Sequence, residues 1–276
     1  MKISWQTPKV TVFESSLYRT TTTVIELGDS VMIVDPNWLP SEIDHIFEFV
    51  HTEHRNKKQF LLFTHSDYDH IIGYGKFKDA VVISSDTFGQ SQKKEAVLQQ
   101  IIEFDNEFYI SRSYPIVYPV TDIIIEKDME RLEIGGLDMI FFKSPGHTKD
   151  GIFTIIPQLQ LWIAGDYHSN IEMPFIDHSF EAYKKTVLKS EEILKTFTEV
   201  QFLIPGHGDV AKSRVEIQAR IKNDTTYLEL LELSTVHHDK DAEIQIHHLN
   251  SQYSTNPTLL KAHHKNMEMV SGMAYL

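Results

Sequence analysis

Apolar and polar positions alternate at short range through the first third of the chain. Val10 to Phe13, Thr20 to Leu27 and Val31 to Val34 are rich in β-branched residues and broken by Gly28-Asp29, which predicts strands with a hairpin turn. The period then changes. Ile43, Ile46, Phe47 and Val50 recur at the spacing of one helical face, with Ser41 placed to cap that helix and Asp44 three residues on. Gln59 to Phe63 is a continuous apolar run of strand length, as expected for a strand covered on both faces. Asp69-His70 opens a further helix, and Ala80 to Ser84 gives another strand. From Asp86 to about Ser113 the pattern is mostly helical and long for a simple connection, so 86–115 is read as a candidate helical cap.

Strand-like runs return at Ile123 to Glu126, Leu137 to Phe142, Ile152 to Ile156 and Leu159 to Ala164, with Gly135-Gly136 marking a tight turn. A helix over Phe180 to Phe197 leads to the short strand Gln201 to Ile204. Beyond Val210 the chain reads as helical and polar, so 211–276 is expected to form a C-terminal helical extension that packs across one end of the sheet or covers the site. Mixed strand and helix periods predict a layered α/β fold. No repeat and no Pro/Gly/Ser-rich linker divides the chain, so 1–276 is read as one domain.

Composition narrows the function. The 276 residues are 41% apolar and 24% charged, the balance of a folded protein with a sizeable core. With 39 acidic against 26 basic residues the net charge is -13, which argues against a broad polyanion-binding surface. There is no cysteine, which removes disulfides, thiolate metal ligands and cysteine nucleophiles together. Neither an apolar leader at Met1 to Pro8 nor a membrane-length apolar run is visible, so a cytoplasmic protein is expected. The expected partner is a small-molecule substrate, without nucleic acid or membrane; a homodimer is compatible with the sequence.

The chemistry concentrates after the apolar run ending at Phe63. Thr64-His65-Ser66-Asp67-Tyr68-Asp69-His70 puts four metal-ligand side chains into six positions. Two imidazoles and two carboxylates on one short loop desolvate or repel one another unless a cation compensates them. Such an oxygen-and-nitrogen set suits zinc, manganese or iron. Three further segments put one ligand just after an apolar strand: Gly146-His147, Gly165-Asp166 and Gly206-His207-Gly208. Glycine beside each lets the backbone turn sharply and come close to a metal. His168 lies two residues past Asp166, within reach of a substrate pocket as a proton donor.

These motifs resemble the metallo-β-lactamase superfamily, whose loop reads His-x-His-x-Asp-His and whose later ligands follow in Gly-His, Gly-Asp and Gly-His contexts in that order. The resemblance covers about residues 10 to 210 and implies a four-layer αββα sandwich with additional helices after the core. It implies two divalent metal ions, zinc first with manganese or iron as alternatives. His65, position 67 and His147 would hold one ion, Asp69, His70 and His207 the other, with Asp166 bridging. One position departs from the pattern: Asp67 stands where the family commonly has histidine. An ionised Asp67 takes the net charge of such a centre from about +1 to about zero, which lowers its Lewis acidity. A carboxylate is also harder than imidazole, which favours manganese or iron at that ion.

The resemblance further implies a hydrolase that uses water activated by the metal pair, with Asp69 orienting the water or accepting its proton and no covalent enzyme intermediate. An ester, lactone or thioester of a small molecule is the expected bond, and no feature singles out β-lactams. Two other functions stay open: an iron-dependent oxidoreductase on the same scaffold, and a non-catalytic metal-binding protein. The pairs His237-His238, His247-His248 and His263-His264 point about a hundred degrees apart on a helix and are expected at the surface.

Overall fold

The β-branched runs pair into two sheets in a computed structural model that describes residues 1–251 and 256–273. The first sheet holds β1 (Lys2–Gln6), β2 (Val10–Glu14), β3 (Thr21–Leu27), β4 (Ser30–Val34), β5 (Lys58–Leu62), β6 (Val81–Ser85) and β7 (Ile123–Ile125), in chain order. Its first four strands pair antiparallel and β4 to β7 pair parallel. The second sheet holds β8 (Glu130–Ile134), β9 (Leu137–Lys143), β10 (Ile152–Ile156), β11 (Leu161–Gly165) and β12 (Phe202–Pro205), antiparallel except for the parallel pair β11 and β12.

The helices are α1 (Pro40–Glu53), α2 (Tyr68–Ile71), α3 (Asp86–Gly89), α4 (Lys94–Glu107), α5 (Phe180–Thr196), α6 (Arg214–Thr235), α7 (Lys240–Ser251) and α8 (Pro257–Met273). Three apolar cores join them into four layers. Successive strand residues point to opposite faces, so Leu62 and Leu61 serve different cores. Leu62, with Ile25 and Met32, faces Met139, Phe141 and Ile163 of the second sheet. Leu61, with Val24 and Ile33, packs under Ile43, Ile46 and Val50 of α1 and Val97 and Ile101 of α4. Outside the second sheet, Phe153, Ile155 and Trp162 meet Tyr183 and Val187 of α5 and Ile217, Leu228 and Leu231 of α6, with α7 and α8 adding Ile246, Leu259 and Val270. The expected αββα sandwich with added C-terminal helices is the observed fold. Among the described residues no helix is long and apolar enough to cross a membrane.

Two strands that the pattern does not announce lie at sheet edges. β1 and β8 are largely exposed or half-buried, so their polar residues carry no apolar run to read. The start of α1 also differs. Pro40 opens the helix, and the carboxylate of Glu42, rather than the Ser41 hydroxyl, reaches back to accept from Leu39 N at 3.1 Å. Glu42 also accepts from Ser15 Oγ at 2.7 Å and Ser16 N at 3.0 Å, which ties the helix to the loop after β2.

Candidate metal centre

Parallel pairing carries the C-terminal ends of β4, β5 and β6 to one edge of their sheet, and β11 and β12 end together in the other. Asp35, Thr64 to His70, Asp166 and His207 follow those ends directly. Two backbone bonds draw the tips together: Ile152 N donates to Thr64 O at 2.8 Å, and Thr21 N to Gly206 O at 2.7 Å. Glycine is required where the chains approach most closely. A Cβ on Gly206 would stand 1.9 Å from Asp166 Oδ1, and one on Gly146, at φ +140°, would stand 2.4 Å from the Tyr183 Cα.

The seven metal-ligand positions read from the sequence converge. His65, Asp67, His147 and Asp166 each offer one atom to a first group, and Asp69, His70 and His207 form a second, all atoms within a group lying within 4.8 Å. In the first, Asp67 Oδ2 is 3.1 Å from His147 Nε2 and 3.8 Å from His65 Nε2, while Asp166 Oδ2 is 3.3 and 3.6 Å from the same two nitrogens. In the second, Asp69 Oδ2 is 3.4 Å from His207 Nε2 and 3.7 Å from His70 Nε2. Asp166 reaches this group as well, with Oδ1 3.1 Å from His70 Nε2 and Oδ2 3.3 Å from His207 Nε2. Four donors held about 2.0–2.1 Å from one cation in a tetrahedron stand about 3.3 Å apart, so these spacings fit two ions sharing Asp166.

The far side of each imidazole supports the fit. His147 Nδ1 donates to Phe175 O at 2.8 Å and His207 Nδ1 to Tyr18 O at 2.9 Å. His70 Nδ1 donates to Asp35 Oδ2 at 3.0 Å. Thr64 Oγ1 gives its proton to Asp35 Oδ2 at 2.5 Å and so receives one from His65 Nδ1 at 2.9 Å. With every Nδ1 carrying the proton, every Nε2 keeps its lone pair for the centre. The Nε2 atoms of His65, His70 and His147, and Asp166 Oδ1, are buried with no hydrogen-bond partner. Buried polar atoms are rarely left so, and four of them divided between the two ligand groups are what bound cations satisfy.

The charges respond to the crowding. Burial alone would raise the Asp67 carboxyl, but His147 and His65 beside it hold it well below the usual carboxylate range. Asp166 is likewise held low by His70, His207 and His65 against its burial. Burial would lower His207, yet Glu172, Asp166 and Asp69 raise it to about 10. His70 and His147 rise well above the ordinary imidazole value for the same reason, driven by Asp166 and Asp69 in one case and Asp67 in the other. A cation therefore competes with protons for these nitrogens.

His168 is placed elsewhere than the sequence suggests. It is 1% exposed, with Nδ1 on Asp224 Oδ2 at 2.8 Å and Nε2 on Ser190 Oγ at 2.8 Å. Both ring nitrogens are engaged away from open space, so the ring ties the loop after Asp166 to α5 and α6 and is not offered to a substrate. Tyr167 is buried and bridges His147 N and Ser144 O. Of the paired histidines, His237, His238, His247, His248 and His264 are exposed as expected. His263 departs from that expectation: half-buried against Tyr227 Oη at 3.0 Å, it is pushed down to about 4 by burial, His264 and His247.

Four contributors escape the sequence reading. Asp35, the Tyr18 and Phe175 carbonyls and Glu172 all act on the histidines. Asp35 follows an apolar strand as the ligands do, and this is the one signal that could have found it. Glu172, half-buried and 4.0 Å from His207 Nδ1, is pushed up to about 7 by the loss of solvent around it. The C-terminal helices hold its loop: Asn266 of α8 donates to Pro174 O at 2.6 Å and accepts from Ile176 N at 3.1 Å, fixing the segment whose Phe175 carbonyl orients His147.

Known proteins share this fold. The sequence pattern of the Metallo-beta-lactamase superfamily matches residues 17–228. A metallo-beta-lactamase type 2 from Bacillus cereus is 20% identical over 189 residues, 68% of this chain and 66% of its own length. Among solved structures, the stereoselective inverting sec-alkylsulfatase of Pseudomonas sp. superposes with a TM-score of 0.66 at 14% identity, over 84% of this chain and 42% of that one. A metallo-beta-lactamase family protein from Thermus thermophilus superposes with a TM-score of 0.63 at 14% identity, over 84% of this chain and 83% of its own. The chain thus spans just under two thirds of the lactamase and about two fifths of the alkylsulfatase.

Proposed function

The chain belongs to the metallo-β-lactamase superfamily, and on that premise we infer that it is a metal-dependent hydrolase of a small molecule, acting on an ester, lactone, thioester or related bond. The observation that carries the reading is the pair of ligand groups sharing Asp166, with the Nδ1 of each of the four imidazoles engaged elsewhere. When bound, two divalent cations at such a centre lower the pKa of water toward neutrality and polarise the bond to be cleaved. Zinc is the first assignment, with manganese or iron favoured wherever Asp67 ligates in place of imidazole.

The chain's own residues supply orientation and proton handling. Asp35 and Thr64 hold His70 and His65, the Tyr18 carbonyl holds His207, and the Phe175 carbonyl holds His147, so the donor set is formed before substrate arrives. Asp69 directs Oδ2 toward His70 and His207, which leaves its second oxygen to orient the attacking water and take its proton. Glu172, half-buried beside His207 and pushed up to about 7, is a further group able to exchange a proton close to the centre. We place the protein in the cytoplasm, where a chain without cysteine needs no oxidising environment to fold.

The test is metal analysis of the purified protein together with turnover of ester, lactone, thioester and phosphodiester substrates, before and after chelation. Two ions per chain and turnover abolished by chelation and restored by metal are expected. A metal-loaded protein that cleaves none of these bonds would overturn the hydrolase reading, and iron-dependent oxygen uptake would replace it with an oxidoreductase.

A further inference from the structure

A cleft of about 900 Å³ reaches the donor cluster at Asp67 and is bounded by Ser66 of the ligand loop, by the first turns of α4 and by the segment after His147. Its charged lining is mixed: Lys93, Lys149 and Lys265 stand with His178 beside Asp67, Asp150 and Asp177, and what sets two of the lysines apart is their lack of a partner. Lys265, also on the wall, is neutralised by Asp177 at 2.5 Å, whereas Lys93 and Lys149 have no carboxylate at ion-pair distance among the described residues. After burial, Lys149 and then Lys93 push the His178 imidazole below its ordinary value, against Asp150, which raises it. Unmatched cations on a concave surface focus potential into it, whatever the net charge of the protein.

A second observation points to a ligand. Thr148 Oγ1 and Asp150 Oδ1 belong to residues on the cleft wall and are buried without a hydrogen-bond partner. Asp150 is only 3% exposed, and Ser85 Oγ, at 2.8 Å, binds its backbone carbonyl rather than its side chain. A buried acceptor without a donor is costly, so the wall is built to receive one.

We propose that the substrate of this centre is a small organic anion, its oxyanion group held between Lys93 and Lys149 and a hydroxyl or amino donor on its body reaching Thr148 and Asp150. This assignment rests on the hydrolase reading above and names its substrate class. The lysines are specificity determinants: they bind the part of the substrate remote from the bond that breaks, and they do not enter the chemistry.

Two esters with the same leaving group, one neutral and one ending in a carboxylate, test it on the metal-loaded protein. The charged ester should be preferred in kcat/KM, and the preference should fall about tenfold both in the double variant Lys93→Gln/Lys149→Gln and on raising the salt concentration. A preference that is absent, or that survives in the variant, overturns the proposal. Calorimetric binding of succinate and of inorganic phosphate supplies the second arm, with binding about tenfold weaker in the variant expected. A loss confined to one anion identifies the oxyanion that the lysines take. If the wild type cleaves neither ester, the lactone, thioester and phosphodiester substrates decide the hydrolase reading and the binding arm alone decides the anion site: equal anion affinity in wild type and variant overturns it. Both lysines are exposed, so metal content and Tm should match the wild type.

Discussion

Replacing Asp35 by asparagine separates holding the histidines from holding the fold. Asp35 is 2% exposed and takes three donors: Thr64 N at 2.9 Å on Oδ1, and Thr64 Oγ1 at 2.5 Å and His70 Nδ1 at 3.0 Å on Oδ2. Asparagine has nearly the same shape and tolerates the backbone, whose φ at this position is 46°. Its amide, however, puts a donor on one side. Turned toward Thr64 N, the amide nitrogen leaves that buried N–H unmatched, at about 1–3 kcal/mol of stability. Turned toward His70 and Thr64 Oγ1, it is accommodated only if His70 moves its proton to Nε2, where the centre needs a lone pair. Removing the partner that orients a ligating imidazole typically weakens metal binding 10–100-fold, or about 1.4–2.7 kcal/mol. The assay is zinc titration of Asp35→Asn against a competing chelator, with Tm measured on the metal-free protein. A Kd raised by that factor, with metal-free Tm lowered by no more than about 2–4 °C per kcal/mol lost, is the expected result. Zinc affinity equal to that of the wild type would refute the tautomer argument.

Three other outcomes follow from the same geometry. Gly206→Ala should fold yet lose cation binding, because the new Cβ, 1.9 Å from Asp166 Oδ1, displaces the shared carboxylate; two ions per chain in the purified variant would contradict this. Asp67→His should shift the metal ratio bound from an equimolar mixture of zinc, manganese and iron toward zinc, and an unchanged ratio would show that Asp67 does not ligate. In the metal-free protein His207 holds its proton up to about 10, above the unfolded value of about 6.5, so its contribution to stability is full below the lower value and is lost as pH rises through the higher one. Metal-free Tm should therefore fall across that window while metal affinity rises, with protons released on binding and detected by calorimetry in buffers of different ionisation enthalpy.

The layers were legible in the sequence because burial on two faces leaves a mark. Gln59 to Phe63 and Leu159 to Ala164 cover strands of the interior, and their apolar runs announce them within a residue or two of β5 and β11. β1 and β8 were not legible for the converse reason: an edge strand half in water needs no such run. Ser41 misled at the start of α1 because the proline at the first position has no N–H to satisfy and the Glu42 carboxylate reaches back to Leu39 N, so the helix start is held without a hydroxyl cap.

At the metal centre the boundary between legible and hidden falls between ligands and the groups that orient them. A ligand must be His or Asp and must follow a strand end, and both properties are local, so positions 65 to 70, 147, 166 and 207 stand out in one dimension. What fixes the imidazoles need be neither. His147 leans on a backbone carbonyl 28 residues away and His207 on one 189 residues away, and any residue type supplies a carbonyl. Asp35 lies 35 residues before His70 and becomes its partner only because β4 and β5 pair in parallel and bring their C-terminal ends side by side. The cleft lysines are hidden more deeply still, since Lys93 and Lys149 are ordinary exposed residues until the fold sets them around one concavity. Net charge misleads there as well, because a substrate in the cleft meets the nearest unpaired lysines at short range, while charges beyond about 10 Å are largely screened at moderate salt.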